Sequence, residues 1–189
     1  ESKVKKDISL IKNSFKAIGF YFVKIDTEIK MNEKNNTIDL IYNIDLGKKA
    51  KISKIKFLGD KIYKDRKLRN IITSEEYKFW KFISQNKFLN AERIQLDRRL
   101  LENFYKNKGF YSAKINNSYA NFLNDESFEL IFDISPGKKY YFNELKLILP
   151  TDYEKENFVN VEELLESLSG RAFSNSRIEK VIKEIDKIA

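Results

Sequence analysis

Apolar and polar residues alternate along 23–31. Val23, Ile25, Thr27, Ile29 and Met31 fall on one side, with Lys24, Asp26, Glu28 and Lys30 between them. A period of two predicts a strand with one buried face. Asn35-Asn36 predicts a hairpin turn, and Ile38, Leu40, Tyr42 and Ile44 a return strand. Further on the period lengthens. Asn90 caps a predicted helix whose apolar positions Ile94, Leu101 and Tyr105 share one face, flanked by Leu100 and Phe104. Gly109 stands where a helix ends in a left-handed residue.

The same pattern returns along the chain. Gly19-Phe20-Tyr21-Phe22-Val23-Lys24-Ile25 reappears 90 positions later as Gly109-Phe110-Tyr111-Ser112-Ala113-Lys114-Ile115. At the same offset, 38–49 reappears as 128–139, ending Ser135-Pro136-Gly137-Lys138-Lys139. Two ungapped matches at one offset identify an internal repeat. A further copy starts at 140, with Leu145 and Leu147 answering Ile55 and Phe57, and Arg177-Ile178 answering Arg93-Ile94. The chain therefore reads as the rear of one unit (1–48), a whole unit (49–139) and the front of another (140–189). An incomplete unit cannot bury its own face, so both ends are expected to be less stable than the middle.

Within the whole unit, residues 50–58 read as a strand stopped by Gly59-Asp60. Asp65 is placed to cap a helix over 66–73 that carries Leu68, Ile71 and Ile72 on one face. A long connection through Trp80 leads to the second helix, and two strands close the unit. The order is β-α-α-β-β. The expected fold class is α+β: a three-stranded mixed sheet with two helices on one face, repeated in tandem. In the last copy, Asn160 with Glu163 predicts a capping-box start and Gly170 a stop. Gly19, Gly59 and Gly109 are the expected structural turns.

Composition narrows the chemistry. The 189 residues include no cysteine and no histidine. Disulfides, thiolate nucleophiles and cysteine zinc sites are excluded, and the usual general base is missing. Glu75-Glu76, Asp125-Glu126 and Glu162-Glu163 are adjacent carboxylates, suited to a solvated surface rather than to two sides of a cleft. No phosphate-binding glycine loop occurs. The chain is expected to be no enzyme and to need no cofactor or metal. No apolar run approaches the roughly 20 residues that span a bilayer as a helix. The polar start without Met reads as an excised or processed piece, with no signal peptide. The formal charge of +8 raises a second reading, a basic module for nucleic acid or anionic membrane surfaces. Lys alternates with Glu and Asp nearly everywhere, which favours an evenly solvated surface and no nucleic-acid partner.

Three features together carry a family resemblance. They are the β-α-α-β-β order, the lead-in Lys54-Ile55-Lys56-Phe57-Leu58-Gly59-Asp60, and the helix exit Tyr105-Lys106-Asn107-Lys108-Gly109-Phe110-Tyr111. On these the chain resembles the POTRA domains of BamA-family outer-membrane protein assembly factors. Phe79-Trp80 in the long connection is similar to an aromatic pair of the third such domain. The resemblance implies a periplasmic array on the inner side of the bacterial outer membrane, joined to a C-terminal membrane β-barrel. It also implies accessory assembly lipoproteins as partners and unfolded outer-membrane β-barrel proteins as clients.

Two surfaces are candidates for that work. A sheet edge is a row of unpaired N–H and C=O groups to which an extended client can add as a strand. The resemblance places that edge on the first strand of the closing hairpin, 111–121, with Tyr111, Ala113, Ile115, Asn117 and Tyr119 expected on one side. The bland alternative is an ordinary edge blunted by polar residues. The second candidate is the aromatic cluster Phe79, Trp80 and Phe82, which serves as a partner interface if exposed and as loop packing if buried.

Overall fold

The computed structural model describes every residue except 1, 60, 81, 82, 125 and 189. The chain begins with helix α1 (Ser2–Ala17) and hairpin β1 (Lys24–Asn32) to β2 (Thr37–Asp45). Next come β3 (Lys51–Gly59), the short α2 (Asp65–Arg69) and α3 (Ala91–Lys106). Strands β4 (Lys114–Asn124) and β5 (Ser127–Ser135) follow, then α4 (Val159–Leu168) and α5 (Asn175–Asp186).

The central sheet has the order β3-β5-β4. Strand β3 runs parallel to β5, and β4 is antiparallel to it. The sheet is thus mixed, with β5 in the middle and an edge on either side. Ile52, Ile55 and Phe57 of β3 meet Leu130, Phe132 and Ile134 of β5 in one buried cluster. Leu68 of α2 and Leu101 and Tyr105 of α3 close that cluster, so both helices cover the same face.

The caps follow from local chemistry. Asn90 Oδ1 accepts the Arg93 amide at 2.8 Å and starts α3. At its end the Phe110 amide reaches the Tyr105 carbonyl at 3.1 Å, and Gly109 takes φ +100°. Gly59 is enforced more strongly, because a Cβ there would lie 2.2 Å from the Ile134 carbonyl oxygen. Two expected starts differ. Asp65 is the first residue of α2 rather than its cap, and α2 stops after Arg69, short of the predicted Thr73. Helix α4 begins at Val159, so Asn160 lies inside its first turn and caps nothing. A 3-10 turn over Lys155–Phe158 leads straight into α4 and removes the need for a side-chain cap there.

The flanking segments join the centre through one hydrogen-bond pattern used twice. The Ala50 amide bonds Gly19 O at 2.8 Å, and the Tyr140 amide bonds Gly109 O at 2.8 Å. Leu89 N to Ala50 O (2.8 Å) is matched by Phe173 N to Tyr140 O (2.9 Å). Ile52 N to Lys87 O is matched by Phe142 N to Arg171 O, both 2.9 Å. A second, smaller cluster of Phe142, Phe158, Val161, Leu168 and Val181 holds 140–186 together.

Candidate functional site

The two sheet edges are treated differently. The outer side of β3 is covered. Its Ile52 carbonyl accepts the Tyr77 amide at 2.6 Å, and the Ile55 amide is taken by Glu76 Oε1 at 3.1 Å. Arg69 bonds the Ile55 carbonyl at 3.3 Å. The covering connection is itself pinned by Asp97, a fully buried carboxylate on α3. Asp97 accepts from Thr73 N (2.6 Å), Thr73 Oγ1 (2.7 Å) and Ser74 N (3.2 Å). Sequence reading missed Asp97, although it shares the buried face of α3 with Leu101 and Tyr105, because its donors come from the distant connection at Thr73 and Ser74.

The outer side of β4 is open over most of its length. At one end α3 clamps it: Glu102 Oε1 accepts the Ile115 amide at 3.0 Å, and Arg98 donates to the Ile115 carbonyl at 2.9 Å. From Asn117 to Leu123, among the described residues, no helix or loop bonds the outward backbone. A cleft of 320 Å³ runs beside this stretch, between Ala91, Ile94 and Gln95 of α3 and Ser118 to Ala120 of β4. An added strand would find unpaired peptide groups on one side and an apolar wall on the other.

The expected edge residues are therefore divided. Tyr111 is outside the strand, packed edge-on against Phe173 at 5.0 Å in the junction to the last segment. Ala113 also precedes β4 and is buried with Ile115 in the core. Asn117 and Tyr119 do not share their face. A bulge at Asn116 shifts the register from Ile115↔Ile134 to Asn117↔Asp133. The extra residue turns the strand by one step. Ser118, Ala120 and Phe122 then continue the core side, opposite Phe132, Leu130 and Phe128, while Tyr119 points to the other face opposite Ile131.

Phe79 and Trp80 are exposed and stack edge to face at 4.7 Å on the β3 side of the molecule. Phe82 lies outside the described residues. Burial raises the phenol pKa values of Tyr21 and Tyr63; desolvation, then the charge and hydrogen bond of Asp7, raises that of Tyr42. All three stay neutral at physiological pH. Among the described residues no helix is long and apolar enough to cross a membrane.

Comparison with known proteins adds a family. The model of POTRA, the surface antigen variable number repeat, matches residues 1–47 and 50–137. The outer membrane protein assembly factor BamA of Neisseria meningitidis serogroup B is 25% identical over 151 residues, 79% of this chain and 19% of that protein. BamA of Buchnera aphidicola is 27% identical over 113 residues, 59% of this chain and 18% of that protein. The chain thus spans about a fifth of the length of these curated relatives. The crystal structure of Haemophilus influenzae BamA POTRA3-5 superposes with a TM-score of 0.55 at 13% identity, covering 97% of this chain and 68% of that one. That likeness concerns the fold.

Proposed function

Because the chain belongs to the POTRA family, we propose that it is part of a periplasmic array of an outer-membrane β-barrel assembly factor, which holds unfolded client strands on the open edge of β4. In this reading 1–48, 49–139 and 140–189 are the rear, whole and front of successive units. A C-terminal membrane barrel and accessory lipoproteins belong to the complete assembly. The work is scaffolding and binding rather than catalysis.

One observation carries the reading: the asymmetry of the two edges. Strand β3 is occupied by Tyr77, Glu76 and Arg69, whereas β4 beyond Ile115 offers free peptide groups beside an apolar cleft. Main-chain pairing tolerates many client sequences, as a general assembly factor requires. The polar Asn116-Asn117-Ser118 run and the bulge at Asn116 weaken the edge as a permanent template, which favours reversible capture.

Titration with an alternating apolar/polar strand peptide, followed by amide chemical shifts, tests this. Shifts are expected at 117–123 and along the α3 wall at Ala91, Ile94 and Gln95, with β3 silent. No response there at about 1 mM peptide, the weak end of useful affinity, defeats the edge-pairing proposal.

A further inference from the structure

The cleft beside β4 has a chemistry of its own. On the helix-covered face of the central sheet, β3 contributes Ile52, Ile55 and Phe57, and β5 contributes Phe128, Leu130 and Phe132. On β4 the residues opposite Phe132 and Leu130 are Ser118 and Ala120. The layer therefore tapers from large side chains to small ones where the sheet has its open edge. Ile94 and Gln95 of α3 border the gap, and Phe128 forms its inner wall. Tyr21 adds a wall from outside the unit. It follows Gly19, whose carbonyl accepts the Ala50 amide at 2.8 Å and so fixes the segment in place. The Tyr21 and Phe128 rings lie 5.7 Å apart, and Phe128 continues to Phe122 at 5.5 Å. Among the described residues no charged side chain lines the cleft; its polar members, Gln95, Ser118 and the two tyrosines, are neutral.

We infer that this cleft is a specificity pocket for an aromatic side chain of the captured strand. The inference rests on edge pairing at β4. A strand added to that edge alternates its side chains between two faces. Those opposite Ser118 and Ala120 enter the cleft beside α3, and the intervening ones face solvent beside Tyr119. An apolar cavity of about 150 Å³ accepts a benzene ring. The 320 Å³ here leaves room for a substituted one. Tyr21 and Phe128 favour a ring over an aliphatic chain, because offset and edge-to-face ring pairs attract beyond the area they bury. A charged side chain would lose water there without gaining a partner. Backbone pairing thus supplies affinity for many sequences, while Tyr21, Ala120 and Phe128 set the residue preferred at one position of the strand.

The 189-residue protein is titrated with three peptides, Lys-Thr-Val-Thr-Xaa-Thr-Val-Thr-Lys, in which Xaa is Phe, Leu or Ala. Kd is read from the amide shifts at 117–123. The Phe peptide is expected to bind about fivefold tighter than the Leu peptide, from ring–ring contact. It should bind about thirtyfold tighter than the Ala peptide, from the apolar area removed from water. Its ring current should move the methyl signals of Ile94 and Ala120. Tyr21→Leu should remove the preference for Phe over Leu. Ala120→Ile fills the cleft from within and should bring all three peptides to the affinity of the Ala peptide. Circular dichroism and urea midpoints check that both variants stay folded, and the peptide series on the parent protein needs neither.

Equal affinity for the three peptides, with shifts at 117–123, overturns the pocket and leaves edge pairing standing. Leu binding as tightly as Phe makes the cleft a general apolar slot and overturns the aromatic assignment. A preference for Phe that survives in both folded variants puts the ring elsewhere and likewise overturns it. No shift with any peptide defeats edge pairing itself, and the pocket with it.

Discussion

The chain contains the same hairpin twice, and the two copies have different fates. Hairpin β1–β2 and hairpin β4–β5 match at an offset of 90 residues and begin with equivalent pairs, Lys24↔Asp45 and Lys114↔Ser135. The equivalent core-side residues differ sharply in burial. Ile38 is 64% exposed and Phe128 9%; Leu40 is 39% exposed and Leu130 is fully buried. Strand β5 has β3 on its other side and α2 and α3 above it. Among the described residues strand β2 pairs with β1 alone, and helix α1 packs on that hairpin. Alternation and a turn therefore suffice to set pairing. Burial of the paired face depends on the rest of the layer.

The largest expected difference follows from that burial. Leu130→Ala should cost about 3 kcal/mol, the transfer and cavity cost of a buried leucine. Leu40→Ala should cost less, about 1 kcal/mol, because its site is partly open to solvent and the truncation leaves no enclosed cavity. Urea unfolding followed by Trp80 fluorescence measures the first. Amide exchange in β1 and β2 measures the second, because that hairpin opens locally. Equal losses at the two positions would break the comparison.

A second pair tests polar rather than apolar burial. Asp7 and Asp97 occupy the same repeat position on α1 and α3. Asp97 is sealed in and gathers the Thr73 and Ser74 donors, whereas Asp7 accepts one exposed bond from the Tyr42 hydroxyl at 3.4 Å. Asp97→Asn places an amide N–H₂ against donors and should cost about 2 kcal/mol, the worth of a hydrogen bond to a charged group. It should also loosen the cover on β3, seen as faster exchange at the Tyr77 amide. Asp7→Asn should leave the unfolding midpoint unchanged.

Most of the fold was readable because its signals are local and doubled. The offset repeat, the Asn90 cap, the φ-positive glycines and the alternation in β1 each have a short-range cause. Two features had no short-range cause. The bulge at Asn116 shows in the chain only as a change of parity, with apolar residues at 113 and 115 but then at 120 and 122. Read as a uniform strand, that stretch put Asn117 and Tyr119 on the wrong face. Asp97 was invisible because its partners lie 23 and 24 residues away, in a loop whose path depends on β3. The candidate edge was placed by family resemblance. Its narrowing to Asn117–Leu123 needed the Arg98 and Glu102 clamp, a tertiary contact.

The smallest effect concerns the hairpin turns, again at equivalent positions. Asn36 has φ +50° and Glu126 φ +76°. Asparagine tolerates this region, but glutamate does so at a cost of about 1 kcal/mol. Glu126 is held there by its backbone carbonyl, which accepts the Lys51 amide at 2.6 Å, and by charge: its carboxylate lies 3.0 Å from Lys48 Nζ and 3.8 Å from Lys51 Nζ. Lys48 is well exposed, so the two ion pairs together should contribute no more than about 1 kcal/mol and should weaken with salt. Strain relief and lost charge then nearly cancel in Glu126→Asn at low ionic strength. In high salt the pairs are screened while the backbone strain is not. The Glu126→Asn variant should therefore unfold at a higher urea concentration than the parent in molar salt, and at about the same concentration in dilute buffer. Asn36→Gly should show no such salt dependence. Parallel salt responses at 36 and 126 would mean that charge plays no part in holding the second turn.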